Sequence, residues 1–562
     1  MMMMMKHELT TIVAKAIKKA QRKRDLPKYE SPAVMVERPK QATHGDYSTN
    51  VALQSARYAR MAPMKIARAI VKRLPSTEFI GQVGIAHPGF INFTLDASWL
   101  AQQVETIRTA GPHWGDVNIG RGKRVQVEYG SANPTGPLHV GFGRNVVIGD
   151  TLANVLAAAG YEVQREYYVN NAGTQIQLFG QSLYARYAQA LGQDAALPED
   201  GYRGQYIVEW AEEIARAEGD KYLQMDHEDA VQALADLGVH KKVLGSVRSD
   251  CERLGIHYDN WFFERSLYGE GVFDHVMSLL RQEDHLVLRE GAVWFNAKDL
   301  GGDKDEVIIR SSGQPGYFAS DIAYHYDKFI RRGFEWVIDV WGADHQGHVP
   351  RMKAMMQALG LASEQLTLII YQLVTLKEGG EDIRLSKRAG TIVRLSDVLD
   401  DVGPDAVRFF LLTSTIDSQM EFDLTLAREQ SQENPVYYVQ YAHARIASIL
   451  RHAAEQGWSA ERYADGDVGL LIHPSELTLI RKMLELPEVV EMAAMKLAPH
   501  HLPHYAQDLA ATFHAFYRDC RVVSSEPSDA ELTKARLKLV ESSKITLARV
   551  LGLIGVSAPE RM

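Results

Sequence analysis

RVQVEYGSANPTGPLHVGFGRNVVIGDTLANVLAAAGYEVQREYYVN, residues 124–170, is the stretch that decides the fold. Val125 to Tyr129 alternate as a β-strand, and the loop from Gly130 to Leu138 is rich in proline and glycine. Val140 to Ala159 have helical periodicity that stops at Gly160, a typical residue after a helix end. A second strand, Glu162 to Val169, follows. This order predicts a Rossmann-type unit whose loop lies at the carboxyl edge of a parallel sheet.

Further elements extend this unit into a domain over residues 120–425. Trp336 to Val340 and Leu366 to Val374 are predicted strands of the same sheet. Residues 180–310 between them are predicted to be a long, mixed, mostly helical insertion. Residues 1–95 are predicted to be a small α/β domain, and the stretch from Gly111 to Lys123 a linker. Residues 430–562 are predicted to be an all-α helical bundle. The fold class is therefore α/β multidomain, with a Rossmann-type core between two smaller domains.

Composition limits the classes of protein to consider. The chain has 562 residues, of which 46% are hydrophobic and 24% charged, as in soluble globular proteins. No apolar run is long enough for a membrane span, and Met1 to Met5 lead into a charged helix without a signal core. Only Cys251 and Cys520 are cysteines, so we expect no disulfide framework, no cysteine-rich zinc site and a cytoplasmic protein. The net charge of −9 means that any nucleic-acid contact must come from local basic patches.

The first candidate motif is His139-Val140-Gly141-Phe142, at the start of the predicted helix. Unpaired N–H groups at a helix start favour a phosphate, and His139 is able to donate a hydrogen bond to it. Gly141 lets a flat ligand approach the backbone. Taken alone, a His-x-Gly sequence at a helix start is structural more often than functional.

The second candidate motif is Arg384-Leu385-Ser386-Lys387-Arg388-Ala389-Gly390-Thr391, on a loop after a predicted strand. Its three cations are suited to stabilising the charge that develops on a leaving pyrophosphate. A basic loop taken alone is usually only solvated. Together and in this order, the two motifs resemble the signatures of class I aminoacyl-tRNA synthetases, His-Ile-Gly-His and Lys-Met-Ser-Lys-Ser.

Longer stretches resemble the arginyl-tRNA synthetase family in particular, over essentially the whole chain. They are His44-Gly45-Asp46-Tyr47-Ser48-Thr49-Asn50, residues 127–136 (VEYGSANPTG), residues 168–173 (YVNNAG), residues 317–325 (YFASDIAYH), residues 341–348 (WGADHQGH) and Asp405-Ala406-Val407-Arg408. The resemblance implies a ligase that activates arginine with ATP and transfers it to the 2′-hydroxyl of the terminal adenosine of its transfer RNA. It also implies an N-terminal RNA-binding module and a helical anticodon-binding domain.

The resemblance assigns an arginine pocket. Asp321 and Tyr317 fall on the family's recognition carboxylate and phenol, and Gln346 on a further substrate contact. A carboxylate suits the planar guanidinium because the two groups pair in a two-pronged way. Ser131 and Asn133 match positions that hold the amino-acid end of the substrate, and Asn171 lines the same cleft. If residues 317–321 are helical, Tyr317 and Asp321 share one face; the alternative that they only support the helix stays open.

The resemblance also assigns the nucleotide site. The predicted ATP contacts are Pro134, His139, Gly141, Phe142, Arg144, Arg384, Ser386 and Lys387. Among them His139, Gly141 and Lys387 are the predicted catalytic positions, and Mg²⁺ is expected only as ATP carries it. Phe142 departs from the signature, which ends in histidine, so one phosphate contact is missing or is supplied by a neighbour such as Arg144. Arg384, Leu385 and Arg388 also depart from the second signature, whereas Lys387 is kept.

RNA contact is predicted for the basic end of the first helix, at Lys18, Lys19, Arg22, Lys23 and Arg24. The alternative is a solvated face that interacts with the helix dipole. A monomer is expected, as is a need for bound RNA before arginine is activated. Three other functions stay open: another class I synthetase, a small-molecule nucleotidyltransferase, and a catalytically silent RNA-binding paralogue for which Phe142 is the only support.

Overall fold

The computed structural model describes residues 5–131, 135–383 and 393–562, without the side chains of residues 42 and 317. The N-terminal module packs three helices on a small antiparallel sheet in the order β1-β3-β2. Its elements and the helix that follows are α1 (Met5–Arg22), β1 (Tyr47–Thr49), α2 (Val51–Ala59), α3 (Pro63–Val71), β2 (Ile80–Ala86), β3 (Phe90–Leu95) and α4 (Ala97–Ala110). Helix α1 buries Leu9, Val13 and Ile17 at helical spacing, which fixes the face that packs inward.

The Rossmann-type unit forms as its pattern indicates. It consists of β4 (Arg124–Glu128), α5 (Val140–Ala158) and β5 (Glu162–Val169). The insertion then begins with α6 (Thr174–Ala190), α7 (Gln205–Glu218), α8 (His227–Leu237) and α9 (Leu244–Arg253). Almost every residue of α5 is buried, because the helix lies between the sheet and the helices that follow the catalytic core.

The second half of the core completes a five-stranded parallel sheet. It comprises β6 (Asn260–Phe263), α10 (Arg265–Gly269), α11 (Val272–Gln282), β7 (Leu286–Arg289), β8 (Ala292–Phe295), β9 (Glu306–Ile309), α12 (Tyr317–Tyr326), β10 (Trp336–Gly342), α13 (Val349–Ala358) and β11 (Leu366–Tyr371). The strand order is β11-β10-β4-β5-β6, with every neighbouring pair parallel. Strand β6 lies inside the segment predicted as a helical insertion, so that prediction missed the fifth strand of the sheet.

The prediction of one strand from Leu366 to Val374 is wrong. Strand β11 ends at Tyr371, and Gln372 turns away because its N–H donates to the Ile416 carbonyl, 3.1 Å away. The chain continues as β12 (Val374–Glu378), β13 (Glu381–Asp382), α14 (Leu395–Leu411), β14 (Met420–Asp423) and α15 (Leu424–Arg428). Strand β12 belongs to a separate sheet, in which it pairs with β13 and β14.

The helical domain contains α16 (Pro435–Glu455), α17 (Ala460–Tyr463), α18 (Pro474–Met483), α19 (Leu486–Lys496), α20 (His501–Asp519) and α21 (Ala530–Ile554). These helices form the all-α bundle that the sequence predicts for this part of the chain. Among the described residues, no helix is both long and apolar enough to cross a bilayer.

Candidate active site and RNA-binding surfaces

His139 caps the N-terminus of α5. Its Nδ1 accepts a hydrogen bond of 3.3 Å from the Phe142 N–H, so a neutral ring carries its proton on Nε2, the side that is able to donate to a ligand. A Cβ at Gly141 would lie 3.1 Å from His139 Nδ1, so glycine at this position leaves room for the ring. The first motif is thus built to present an N–H donor at a helix start.

Phe142 and Arg144 point into the protein rather than towards a ligand. The Phe142 ring is buried and meets the His139 ring edge-on, with 6.5 Å between their centroids. Arg144 has no exposed surface, and its guanidinium donates to the carbonyls of Gln372, Thr415 and Ser418 at 2.7, 2.8 and 2.9 Å. These contacts argue against the expectation that Arg144 supplies the phosphate contact which Phe142 lacks. Burial lowers the pKa of Arg144 to about 10.

The two motifs are joined at their bases. Residues 139 and 394 form an antiparallel bridge, and the Leu395 N–H donates to the Leu138 carbonyl over 2.8 Å. The start of α14 therefore lies beside the start of α5, and a Cβ at Gly143 would lie 2.9 Å from Leu395. The predicted residues Asn133, Pro134, Arg384, Ser386 and Lys387 lie outside the described residues.

Asn145 is a positioning residue that the sequence reasoning missed. Its Oδ1 accepts the Gly130 N–H at 2.6 Å and its Nδ2 donates to the Val340 carbonyl at 2.7 Å. The side chain thereby joins the carboxyl ends of β4 and β10, from which the loops with Ser131 and Gln346 emerge. The sequence did contain a signal for this role, an amide side chain within a largely apolar helix. A buried amide of this kind needs hydrogen-bond partners.

Residues 317–321 are helical, because α12 begins at Tyr317 and carries Asp321 one turn later. The two positions therefore share one face of the helix, as expected from the sequence for a helical segment. Asp321 is partly buried, and no ion pair joins its carboxylate to another described residue. Burial raises its pKa, while the nearby His325, Arg351 and His345 act in the opposite direction. The site therefore holds a desolvated carboxylate that a cationic ligand would neutralise.

A row of buried carboxylates lies beneath α12 and was not foreseen from the sequence. Asp339, Glu128 and Glu166 are register neighbours on β10, β4 and β5. Lys328 contacts the first two of them, with 2.8 Å between its Nζ and Asp339 Oδ1, and Arg332 pairs with Glu166. Both cations follow α12 directly along the chain, so these pairs fasten the helix to the sheet.

His325 extends this network to Asp321. Its Nε2 lies 2.9 Å from Asp339 Oδ2, and its Nδ1 lies 2.8 Å from the backbone carbonyl of Asp321. The position of the Asp321 backbone is thus tied to the sheet through one imidazole. Such support holds a recognition group in place more firmly than the helix alone would.

A second acidic group, Glu264, lies close to Asp321. Burial raises the pKa of Glu264; hydrogen bonds from Ser320 and Tyr168 lower it, and the charge of Asp321 raises it further. Glu264 and Ser320 line a cavity of about 800 Å³ between α6, α8 and α12. A desolvated carboxylate in the wall of a cavity of this size, with Asp321 within electrostatic reach of it, suits a ligand with a cationic group.

Of the other predicted pocket residues that the structure describes, Asn171 lies at the cavity, and Ser131 and Gln346 lie on loops after neighbouring strands. Asn171 lines the cavity, and its Oδ1 accepts the Arg265 N–H at 3.1 Å, which fixes the start of α10 beside Glu264. Gln346 is exposed in a 3₁₀ turn after β10, next to His345, and Ser131 is exposed in the loop after β4. The structure thus places Ser131, Asn171 and Gln346 on loops that follow neighbouring strands of one sheet.

Comparison with known proteins gives the family of this chain. Three family models match it: "Arginyl tRNA synthetase N terminal domain" at residues 7–95, "tRNA synthetases class I (R), catalytic domain" at 104–411, and "DALR anticodon binding domain" at 439–562. The chain is 50% identical over 550 residues to an arginine–tRNA ligase of Dehalococcoides mccartyi, covering 98% of each chain. The chain belongs to the arginyl-tRNA synthetase family.

Other members agree with this assignment. An arginine–tRNA ligase of Heliobacterium modesticaldum is 46% identical over 561 residues, 99% of each chain. The solved structure of the Thermus thermophilus arginyl-tRNA synthetase matches all of both chains with a TM-score of 0.76 at 26% identity. The predicted family, the Rossmann-type core and the two flanking domains are therefore confirmed.

In an arginyl-tRNA synthetase, the basic end of α1 is a candidate RNA surface. Lys18, Lys19, Arg22, Lys23 and Arg24 are all exposed, and none forms an ion pair with a described residue. Helix α3 packs beside α1 and adds exposed Lys65 and Arg68; Lys72, just after the helix, is exposed and pairs with Asp25. The basic face of α1 and α3 is thus a local patch in an acidic chain.

A second candidate RNA surface lies in the helical domain and was not foreseen. A cavity of about 410 Å³ between α16 and α20 is lined by Gln432, Tyr438, Tyr441, Arg445, His514, Tyr517 and Arg518. The Tyr438 and His514 rings lie 5.4 Å apart, and the Arg445 guanidinium lies 4.7 Å above the Tyr517 ring. Burial, and then the charge of Arg445, lowers the pKa of His514 and keeps its ring neutral. Aromatic faces beside arginines suit an unstacked nucleobase.

Proposed function

We propose that the chain activates L-arginine with ATP, giving arginyl-adenylate and pyrophosphate, and transfers the arginyl group to the 2′-hydroxyl of the terminal adenosine of tRNA(Arg), releasing AMP. The observation that carries this proposal is the desolvated carboxylate of Asp321 on α12, which has no ion-pair partner among the described residues, within the part of the chain that matches the arginyl class I catalytic domain. The protein's contribution is positioning and charge stabilisation, since the substrates themselves supply the reacting groups.

The guanidinium of arginine is assigned to Asp321, with Tyr317 and Gln346 as further contacts. Glu264 is a second carboxylate within electrostatic reach of Asp321, and it favours a cation over a neutral side chain of similar length. Ser131, Asn133 and Asn171 are assigned to the amino-acid end of the substrate. Of these three, Asn171 has its Oδ1 occupied by Arg265, which leaves its NH₂ group to donate.

The ATP phosphates are assigned to the start of α5, which His139 caps, because a helix N-terminus with its backbone N–H groups favours an anion. Pro134, Gly141, Phe142, Arg384, Ser386 and Lys387 complete the proposed nucleotide site. Phe142 contributes its backbone N–H to hold His139 rather than a side-chain contact to phosphate. Mg²⁺ is assigned to ATP itself, because this ion is usually bound through substrate phosphates.

The transfer RNA is assigned to three parts of the chain, with boundaries at residues 1–95, 120–425 and 430–562. The basic face of α1 and α3 contacts the RNA backbone, the catalytic domain takes the acceptor end, and the aromatic cavity of the helical domain takes an unstacked base. The enzyme is proposed to act as a monomer in the cytoplasm and to need bound RNA before it activates arginine.

The test is aminoacylation of tRNA(Arg) with each of arginine, lysine and glutamine. The proposal predicts charging with arginine alone, because only a planar guanidinium pairs in a two-pronged way with Asp321. Preferred charging with another amino acid would assign a different synthetase activity, and RNA binding without any charging would indicate a catalytically silent relative.

A further inference from the structure

The sequence His44-Gly45-Asp46-Tyr47-Ser48-Thr49-Asn50 precedes both signature motifs along the chain and has no part in the proposed chemistry. Its turn depends on Gly45, which has a φ of +82° and passes so close to β3 that a Cβ would lie 2.6 Å from the Phe93 carbonyl oxygen. The Asp46 N–H then donates to that carbonyl at 2.8 Å. The turn thereby places Asp46 and Tyr47 side by side against the helical domain.

Asp46 joins the two domains through its carboxylate. Oδ2 accepts the Leu95 N–H at 2.7 Å, within the N-terminal module, and Oδ1 accepts the Arg481 Nε–H at 2.7 Å, from α18 of the helical domain. Only 8% of the Asp46 side chain is exposed, so solvent screens this ion pair weakly. One carboxylate therefore holds the end of β3 and the neighbouring domain together.

Tyr47 forms a second contact, with Glu488 of α19. The buried Tyr47 hydroxyl donates to Glu488 Oε1 at 2.5 Å and accepts a hydrogen bond of 2.8 Å from Arg38 Nη2. Arg38 also donates its Nε–H to Glu488 Oε2 at 3.1 Å. Burial, and then the charge of Glu488, raises the pKa of Tyr47, so the phenol stays protonated and keeps donating.

A separate line of ion pairs fastens α4, the helix after the module, to the same domain. Arg108 pairs with Glu541 of α21 at 2.8 Å, and Glu105 accepts from Lys538 at 2.6 Å. The module is thus held at two places, by charged groups whose pairing requires one relative position. Ion pairs of this kind specify geometry more than they add stability.

We propose that the N-terminal module and the helical domain form one RNA-binding unit, whose geometry is set by the Asp46–Arg481 and Tyr47–Arg38–Glu488 contacts. The unit fixes the separation between the basic face of α1 and α3 and the aromatic cavity of α16 and α20. Two contact surfaces held at a fixed separation bind one ligand more tightly than two that move independently. The inference rests on the proposed function, because it concerns how the RNA substrate is held.

The test uses the full-length enzyme with Glu488→Gln and, separately, Asp46→Asn. Each substitution removes one negative charge. If only the overall charge mattered, each variant would bind RNA as tightly as the unchanged enzyme or more tightly. The proposal predicts the opposite: the KM for tRNA(Arg) rises about three- to tenfold, while kcat at saturating RNA stays within about twofold. Glu531→Gln is the matched control, since Glu531 pairs with Lys534 inside α21 and its loss should leave the KM unchanged.

A KM that is unchanged or lower in Glu488→Gln overturns the inference, as does a fall in kcat without a rise in KM. Thermal unfolding of each variant separates loss of the unit from loss of the fold. The double variant Arg38→Gln with Glu488→Gln leaves no unpaired charge at the contact and should show the same rise in KM. Aminoacylation by the unchanged enzyme is measured first. If that enzyme does not charge tRNA(Arg), the proposed function is refuted rather than this inference.

Discussion

Replacing Arg144 with methionine distinguishes a structural arginine from an ATP contact. In the structure its guanidinium holds three carbonyls, those of Gln372, Thr415 and Ser418, on the two segments that flank strands β12 and β14. Methionine fills a similar volume without a donor. The Thr415 carbonyl keeps a bond of 2.9 Å from Ser418 Oγ, whereas Gln372 and Ser418 lose the donor that Arg144 gives them.

The size of the effect follows from two opposing contributions. Hydrogen bonds from a charged donor contribute roughly 1.5–3 kcal/mol each. Burial lowers the pKa of Arg144 from its ordinary 12.5 to about 10. This shift corresponds to a desolvation cost of roughly 3 kcal/mol, at about 1.4 kcal/mol for each pH unit. The three bonds together contribute roughly 4.5–9 kcal/mol, so after the desolvation cost we expect Arg144→Met to lower the free energy of unfolding of the catalytic domain by about 1.5–6 kcal/mol.

The assay combines urea unfolding with ATP–pyrophosphate exchange. Arg144→Met should unfold at lower urea, and its exchange should show a lower kcat with little change in the KM for ATP. Arg144→Lys is the matched control and should be intermediate, since an ammonium group is able to hold some of the carbonyls but not all in the same geometry. Unchanged unfolding together with a tenfold higher KM for ATP would refute this reasoning and restore Arg144 as a phosphate contact.

Three further predictions follow from the site and the RNA surfaces. Phe142→His should leave the KM for ATP in pyrophosphate exchange within about twofold, because the side chain at this position is buried and points away from the ligand; a KM about tenfold lower would show that the new ring reaches the phosphate. The basic run at the end of α1 consists of Lys18, Lys19, Arg22, Lys23 and Arg24. Replacing these residues by glutamine should weaken tRNA binding and lower the dependence of the binding constant on salt concentration by about 1 in slope for each phosphate that the protein no longer neutralises. An unchanged slope would mean that this face is only solvated. Since burial raises the Asp321 pKa and arginine requires the carboxylate, the KM for arginine should rise as pH falls through that raised pKa, at a higher pH than for an exposed aspartate. Asp321→Asn should abolish this pH dependence, and a dependence that persists would assign it to another group, with Glu264 the first candidate.

Elements with a strong local pattern could be predicted from the sequence. The strand from Glu162 to Val169 has the predicted bounds, and helix α5 ends one residue early, because its periodicity and the glycine after it are local signals. Strand β6 could not be found in the same way. It has four residues, and its place beside β5 depends on a pairing across about ninety residues of chain, between Glu166 and Asn260 among others.

The candidate site shows the same difference between features that are local in the sequence and features that depend on distant residues. The motif positions came from a resemblance, which carries residue types and their order but not contacts. It gave no sign that Arg144 is used up by three carbonyls or that Asn145 joins two strand ends, since both depend on partners about 195 to 275 residues away. The carboxylate row of Asp339, Glu128 and Glu166 likewise exists only once the strand order is known. Long-range pairing was the missing information in every case.

Arginine-dependent ATP–pyrophosphate exchange, measured with and without tRNA(Arg) beside the Asp321→Asn variant, tests the central claim most directly. The account predicts exchange that requires the RNA and that falls by about 10²–10³-fold in kcat/KM for arginine in the variant, as expected for removal of a carboxylate–guanidinium pair of roughly 3–4 kcal/mol. Full exchange in the variant, or none in the unchanged enzyme with RNA present, would contradict the account.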